Sequence, residues 1–529
     1  MTFLPLVAAL VLRGNIYTLD ESRPWARALV IDHGRIAYVG DEASALAFAG
    51  PGARSIQAGP GLILPGLHDS HTHPMTSGMT LLRCSLQGLT TEAQVSAAVR
   101  TCAAQSTGPW LLGTGWTPGT FVADRHKLDA LVPDRPALFT TEDGFAGWAN
   151  TKALEAARLG SAGGNVERDP GTHELTGILH DEAVGLVKRR APRPSEAEYR
   201  EALRRTTAMA NGFGITSLVD ASADPSVVEA YRAADRAGEL TVRVVLAQRV
   251  DKRRGEDQIA QMKALRGRAK GPRLRADAAK LFVDGEIDRH TAAMLAPYAG
   301  VTDRGELLLP EEKLDALVRR LDAEGFLIHM HVMGDRAVRA GLNAIEGAIR
   351  LNGRRDRRHQ LAHVGVVDPA DIPRFAPLSV TADLQPLFAR PGDPALGPAA
   401  AALGPARARW LYPLASIRAA GGRVVASSDW PSTSMNPFEA IEAAVTRAPP
   451  ESSTLASMVA AYTRDAAWVA REDAIDGVIA VGKAADLVVL DRNLFDVPPE
   501  ALHGTRVLLT LIDGEPVYRD PGFDWPGRR

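Results

Sequence analysis

Apolar and polar positions divide the chain into two regimes. At both ends, short apolar runs alternate with turn residues: Ala8 to Leu12, Ala28 to Ile31 and Arg35-Ile-Ala-Tyr-Val39, then Asp486-Leu-Val-Val-Leu-Asp491, Val507 to Ile512 and Pro516 to Tyr518. Runs of this length between turns predict strands. Strands at opposite ends of a chain can pair, which predicts a small composite β-sandwich from residues 1–60 and 475–529. In between, strand-like runs alternate with helical periodicity, the mark of a parallel α/β architecture. Eight interior strands are predicted at Leu62 to Leu67, Ile215 to Val219, Val242 to Ala247, Ala278 to Val283, Phe326 to His331, His359 to His363, Ser379 to Leu384 and Arg423 to Ser427. Helical stretches such as Glu311 to Ala323 and Arg336 to Leu351 fall between them. Eight such units predict a (β/α)8 TIM barrel over residues 61–474, with its active site at the C-terminal strand ends. The interval from Met75 to Arg205 is too long for one connecting loop and predicts an inserted cap subdomain over residues 75–205, punctuated at Gly113 to Gly119 and Gly163-Gly164.

Composition narrows the class. Of 529 residues, 45% are hydrophobic and 23% charged, the profile of a globular protein. A formal net charge of −2 gives no reason to expect nucleic acid or an anionic membrane as partner. The N-terminal run Met1 to Leu12 lacks a basic leading segment and a small-residue cleavage site, so it reads as hairpin rather than signal peptide. No run approaches the roughly 20 apolar residues of a membrane span. Cys84 and Cys102 alone provide neither a disulfide framework nor a structural zinc cluster, which makes a reducing compartment, the cytoplasm, the expectation.

Candidate chemistry collects at the strand ends. In Gly61-Leu-Ile-Leu-Pro-Gly-Leu-His-Asp-Ser-His-Thr-His73, an apolar run ends in two histidines one residue apart. Residues two apart on a strand share a face, so His71 and His73 can offer two imidazoles to one metal ion. Later strands end in Lys280, His329-Met-His331, His363 and Ser428-Asp429. Imidazoles and a carboxylate suit zinc and similar divalent ions. Nine of the 61 basic residues are lysines, so Lys280 in an apolar strand stands out. Burial lowers a lysine's pKa, and a neutral amine can add carbon dioxide to give a carbamate able to bridge two cations.

The ordered set Pro65-Gly-Leu-His-Asp-Ser-His-Thr-His73, Lys280-Leu-Phe-Val-Asp-Gly285, His331-Val-Met-Gly-Asp-Arg-Ala337, His363 and Ser428-Asp-Trp-Pro431 resembles the metal-dependent amidohydrolase superfamily, specifically its amidohydrolase 3 branch with N-substituted formamide deformylase-like enzymes. Gly477 to Leu490 resembles the segment that returns from barrel to β-domain in that family. The resemblance implies hydrolysis of a non-peptide carbon–nitrogen bond, with metal-activated water attacking an amide-like carbonyl. It implies His71, His73, Lys280, His331, His363 and Asp429 as ligands of one or two divalent ions, with zinc as the expected metal and Lys280 as a carboxylation site. It implies Asp429 as the base that takes the water's proton and passes it to the leaving nitrogen, with His331 or His363 polarising the carbonyl. Two positions depart from the family pattern. Phe145, in Asp143-Gly-Phe145-Ala-Gly-Trp148-Ala-Asn150, stands where a histidine is usual, and Asp181 stands where a glutamate is usual. Phe145, Trp148, Asp181 and Trp430 are the expected substrate contacts, and an apolar or aromatic substrate facing Phe145 is implied.

Other readings stay open. His329 lies on the face of His331 but one pleat deeper, which suits a core or supporting role, and His359 suits a structural one. Asp69, Asp284 and Asp335 can orient histidines or bond to loop backbone. Lys280 can pair with Asp284 instead of reacting. Ester or carbamate hydrolysis, deamination and decarboxylation are all compatible with the same scaffold, as is a binding protein without turnover. Barrels of this kind often pair, which makes a homodimer the oligomer to test for, and a small molecule is the expected partner.

Overall fold

A computed structural model of the protein describes residues 9–141, 144–159 and 165–525. Ala8, Asp143 and Gly163-Gly164, named in the motifs above, lie outside the described residues. The chain divides into two compact units, one of residues 1–74 with 204–529 and one of residues 75–203.

The larger unit is built on eight parallel strands, Leu67–Thr72, Ile215–Ala223, Arg243–Arg249, Leu274–Phe282, Leu327–Val332, Gln360–His363, Thr381–Leu384 and Arg423–Ala426, each paired with the next in chain order. The Asp429 N–H donates to the His71 carbonyl at 2.8 Å and the His73 N–H to the Trp430 carbonyl at 3.0 Å, tying the first strand end to the last. The intervening helices bury stripes at three- and four-residue spacing. Glu311–Ala323 buries Leu314, Leu317, Val318 and Leu321, and Asp335–Asn352 buries Val338, Leu342 and Ile345. This is the (β/α)8 barrel expected from the alternation.

The first barrel strand begins later than the apolar run suggests. Residues 62–65 complete a different strand, Arg54–Pro65, which pairs with Leu487–Leu490 in the terminal sheet. Gly66 marks the hand-over: its N–H donates to the Asp486 carbonyl at 2.8 Å, and the Leu67 N–H donates to Gly214 at 3.0 Å. A Cβ on residue 66 would lie 2.0 Å from Thr216 Oγ1, so the close approach requires glycine. The run gives no warning of the change because a strand buried on both faces carries no alternation to say which sheet it joins.

The two chain ends form one seven-stranded sheet in the order Glu515–Arg519, Val507–Ile512, Leu487–Leu490, Arg54–Pro65, Leu10–Tyr17, Trp25–Asp32 and Arg35–Gly40. The sheet folds over on itself. Its edge strand meets the approach to Leu487, with the Ile36 N–H donating to Lys483 and the Ala485 N–H to Gly34, both at 2.9 Å. Leu12, Leu29 and Ile36 from one half share a core with Leu487, Leu509 and Leu511 from the other.

The second unit holds a six-stranded sheet running from Val166–Arg168 through Leu175–His180, Ala146–Ala149, Ala137–Thr140 and Leu111–Thr114 to Cys84–Ser85. Its core includes Trp116, Phe139 and Trp148. Cys84 and Cys102 are joined in a disulfide with a Cα–Cα distance of 5.8 Å, linking the short edge strand to helix Glu92–Gln105. That bridge runs against the expected reducing compartment, because disulfides persist mainly in oxidising ones. Two cysteines 18 residues apart carry no pairing signal until the fold brings them together.

Candidate metal centre

Strand geometry delivers the proposed ligands to one end of the barrel. His71 Nε2 and His73 Nε2 lie 3.3 and 3.2 Å from Asp429 Oδ1. Two ligands each about 2.1 Å from a tetrahedral ion would stand roughly 3.4 Å apart, so this spacing fits a shared cation. Lys280 Nζ lies 3.3 Å from the same His71 nitrogen. The His363 ring stands 4.7 Å from that of His71 and 4.6 Å from that of His331. His363 commits Nδ1 to Gln385 Oε1 at 2.8 Å, which leaves Nε2 to serve as a ligand. His331 Nε2 is buried without a hydrogen bond, the state expected of a nitrogen whose partner is an ion. Asp429 and His363 hold left-handed backbone, with φ of 51° and 73°, a conformation that costs energy for residues with side chains and recurs at functional sites.

The electrostatics keep these groups ready to ligate. Burial, reinforced by the Lys280 charge, holds His71 well below the ordinary histidine pKa and His331 down to about 3. Burial likewise lowers His363. All three are therefore neutral, with a lone pair to give. Burial opposes ionisation of Asp429, but the hydrogen bond from His73 and the nearby charge of Lys280 hold the carboxyl well below its usual range. Burial brings Lys280 down to about 8, against the pull of Asp429, Asp383 and Glu286.

Supporting contacts sort the remaining residues. Asp284 does not pair with Lys280. It accepts the N–H groups of Ala293, Met333 and Gly334 at 2.9, 2.9 and 2.8 Å, organising the loops after the fourth and fifth strands. Burial raises its pKa to about 8. Asp69 staples the first strand to the last by accepting from Ser428 N and Oγ at 3.0 and 2.5 Å. Asp335 accepts from Leu295 N at 2.7 Å. His359 is structural, with Nδ1 accepting from Ile328 N at 3.1 Å and Nε2 facing Asp322 at 3.0 Å. His329 touches the centre through His71, with Nε2 2.7 Å from His71 Nδ1.

A separate buried cluster surrounds His68. Its Nδ1 lies 3.7 Å from Glu472 and its Nε2 3.3 Å from Asp476, while Arg243 bonds Asp486 at 2.7 Å beside them. Each ring nitrogen faces a different carboxylate. That suits an imidazolium between two acids better than a cation site.

The sequence pattern gave no notice of Gln360, Gln385, Ser427 or Asp383. Gln385 Nε2 donates to Ser427 Oγ at 2.7 Å, and Ser427 donates to Asp383 at 2.5 Å. Their one available signal is polarity at positions buried inside a barrel strand or its end.

The proposed substrate contacts differ in setting. Trp430 is half-buried beside Asp429, and its N–H donates to Ser428 Oγ at 2.9 Å. Trp148 is 1% exposed in the core of the second unit, its Nε1 donating to the Asp124 carbonyl at 2.8 Å, so it is a packing residue rather than a substrate contact. An aromatic motif residue on a short strand reads alike in either role. Phe145 is 48% exposed in the same unit, and its carbonyl accepts from the Asp181 N–H at 2.7 Å, so the two departures from the family pattern are neighbours.

Residues 55–518 match the amidohydrolase family. The chain is 29% identical to the putative amidohydrolase YtcJ of Bacillus subtilis, over 96% of this chain and 98% of that protein. It is 27% identical to the N-substituted formamide deformylase of Arthrobacter pascens, over 97% and 98% respectively. Among solved structures, an uncharacterized metal-dependent hydrolase from Pyrococcus furiosus shares the fold with a TM-score of 0.79 at 24% identity, over 93% of this chain and all of that one.

Proposed function

The chain belongs to the amidohydrolase family of metal-dependent hydrolases, and from that premise we propose that it hydrolyses a non-peptide carbon–nitrogen bond in a small amide-like molecule. The observation that carries this reading is the convergence of His71 Nε2 and His73 Nε2 on Asp429 Oδ1, at 3.3 and 3.2 Å, with Lys280 beside His71.

The donor set fits zinc or a similar divalent ion. His71, His73 and Asp429 would hold one ion, with Lys280, His331 and His363 available to it or to a second. When bound, such an ion polarises a carbonyl and lowers the pKa of water. The chain's own groups do the rest. Asp429, ionised at neutral pH, accepts a proton at its carboxylate and returns it to the leaving nitrogen. His331 or His363 steadies the carbonyl oxygen. The Lys280 amine, brought down to about 8, has a substantial neutral fraction near pH 7 to 8. It can add carbon dioxide to form an N–C bond, releasing one proton and leaving a carbamate.

Trp430, half-buried beside Asp429, is the proposed substrate contact of the barrel. The name of the Arthrobacter relative makes N-formyl compounds the first class to try. Screening N-formyl, N-acyl, carbamate and ester compounds, with and without a strong chelator, tests the reading. Chelator-sensitive release of an amine from an N-formyl or N-acyl compound is expected. Turnover of esters alone, or turnover indifferent to metal removal, would contradict it.

A further inference from the structure

We propose that Arg249 sets the substrate class of this centre by binding a carboxylate on the molecule whose carbon–nitrogen bond is cut, with an apolar part of that molecule lying against Phe282. The inference rests on the hydrolase reading above and narrows its substrate. It starts from strand register. Arg249 is the last residue of the third barrel strand, Arg243–Arg249, and pairs with Lys280 on the fourth. Residues two apart on a strand share a face. On that face Val245 and Ala247 are buried in one cluster with Ala278 and Leu327 of the neighbouring strands. Arg249 therefore ends a row of side chains that faces the barrel interior, at the rim where Lys280 and His331 stand.

The guanidinium has a defined place and no partner. Its carbon lies 5.5 Å from the centre of the Phe282 ring, within cation–π range. The same ring stands 5.5 Å from the His331 ring and 4.9 Å from Lys280 Nζ. One half-buried aromatic side chain thus bridges exposed Arg249 and the centre. Among the described residues, the Arg249 side chain makes no hydrogen bond or ion pair. The acids near it are engaged elsewhere. Asp251 accepts from Arg253 Nε and Nη2 at 3.0 and 2.8 Å, and Glu286 lies 3.7 Å from His331 Nε2.

Arginine stays charged at every working pH and presents its N–H groups as a planar fork. A carboxylate or phosphate meets that fork through two parallel hydrogen bonds. One unpaired guanidinium with two acids close by suits a single negative charge better than a doubly charged phosphate, which selects the carboxylate. The Phe282 ring suits a short hydrocarbon spacer. The substrate is therefore an amino acid carrying a small N-acyl group, and its hydrolysis consumes one water to give the free amino acid and the small carboxylic acid.

Formate release by the zinc-loaded full chain tests the proposal. The substrates are N-formylglycine, N-formyl-β-alanine and N-formyl-γ-aminobutyrate, each set against the uncharged N-formyl alkylamine of matching length. At least one acid is expected to exceed its uncharged counterpart in kcat/KM by about 10- to 100-fold, as a hydrogen bond to a charged group allows. Arg249→Met keeps apolar packing on Phe282 without the charge. It is expected to lose that preference, with the change falling on KM rather than kcat. Arg249→Lys returns the charge without the fork and is expected to recover part of the preference, which a packing role would not produce. Parental preference in Arg249→Met, or a parent that treats acids and uncharged compounds alike, would overturn the role of Arg249. Formamidoethyl phosphate outrunning every acid would overturn the choice of carboxylate. The comparison on the parent needs no variant, so it decides even if both variants fail to fold. Chelator-sensitive release from the uncharged compounds alone keeps the hydrolase reading and removes this one, whereas no chelator-sensitive release from any compound removes both.

Discussion

Asp429 has two duties at the centre, as a neighbour of both first-strand imidazoles at 3.2 and 3.3 Å and as a proton acceptor. Asp429→Asn preserves shape while removing the charge and most of the basicity. It is expected to lower kcat by about 10²- to 10⁴-fold with little change in Tm, as measured by steady-state kinetics and calorimetry. A kcat within a factor of a few of the parent would assign the proton transfer elsewhere. Lys280 gives a different signature. Lys280→Ala is expected to lose activity and regain part of it when short carboxylates are added, because they replace the oxygens of the carbamate. Native mass spectrometry should show the parent about 44 Da heavier than its sequence mass. No rescue together with an unshifted mass would leave Lys280 as an unmodified amine. The residues that the sequence singles out by type, His71, His73, His331, His363 and Asp429, are brought together at one end of the barrel. Gln360 and Gln385 are not singled out, because an amide at a strand end reads as ordinary polarity until its distance to a ring nitrogen is known.

The elements were legible where their periodicity was distinct and obscure where it was not. The amphipathic helices over Glu311–Ala323 and Asp335–Asn352 stand close to their expected places, whereas the continuous apolar run before Gly66 belongs to a different sheet from the one its sequence suggests. That hand-over is testable. Gly66→Ala forces a methyl group against Thr216, 2.0 Å from Oγ1, and is expected to cost about 1 to 3 kcal/mol of stability by denaturant unfolding. The His68 cluster joins the first barrel strand to the segment before Leu487–Leu490 and makes a pH prediction. Burial opposes protonation of His68, but Asp476, then Glu472 and Asp486, outweigh it and raise its pKa above 6.5. Burial, reinforced by Asp476, also raises Glu472 against the pull of His68 and Arg275, and burial raises Asp486 against Arg243. The folded state therefore binds more protons than the unfolded one. The His68 contribution is full below about pH 6.5 and is lost as pH rises through the folded-state pKa. The denaturation midpoint should fall with rising pH across that window, and His68→Gln should flatten the slope. A parental slope in the variant would place the titration elsewhere.

At the scale of the whole molecule, chain ends more than 400 residues apart pair into one sheet that abuts the start of the barrel. Matching strand character at both ends made that pairing legible, whereas the sheet's strand order and its fold-over depend on backbone bonds such as Ile36 to Lys483. The second unit was the least legible part. Trp148 proved to be core, and Cys84 and Cys102 proved to be bridged, because neither packing partner nor disulfide partner is encoded nearby in sequence. The central claim is that side chains from the first, fourth, fifth, sixth and eighth strand ends together hold a divalent ion that the reaction requires. Metal content by mass spectrometry, on protein purified without chelator and on a His71→Ala/His73→Ala variant of unchanged secondary structure, tests it most directly. The parent should carry about one or two equivalents of zinc or a similar ion, and the variant should lose at least one of them together with activity. A metal-free parent that remains active, or a variant with parental metal content, would contradict the claim.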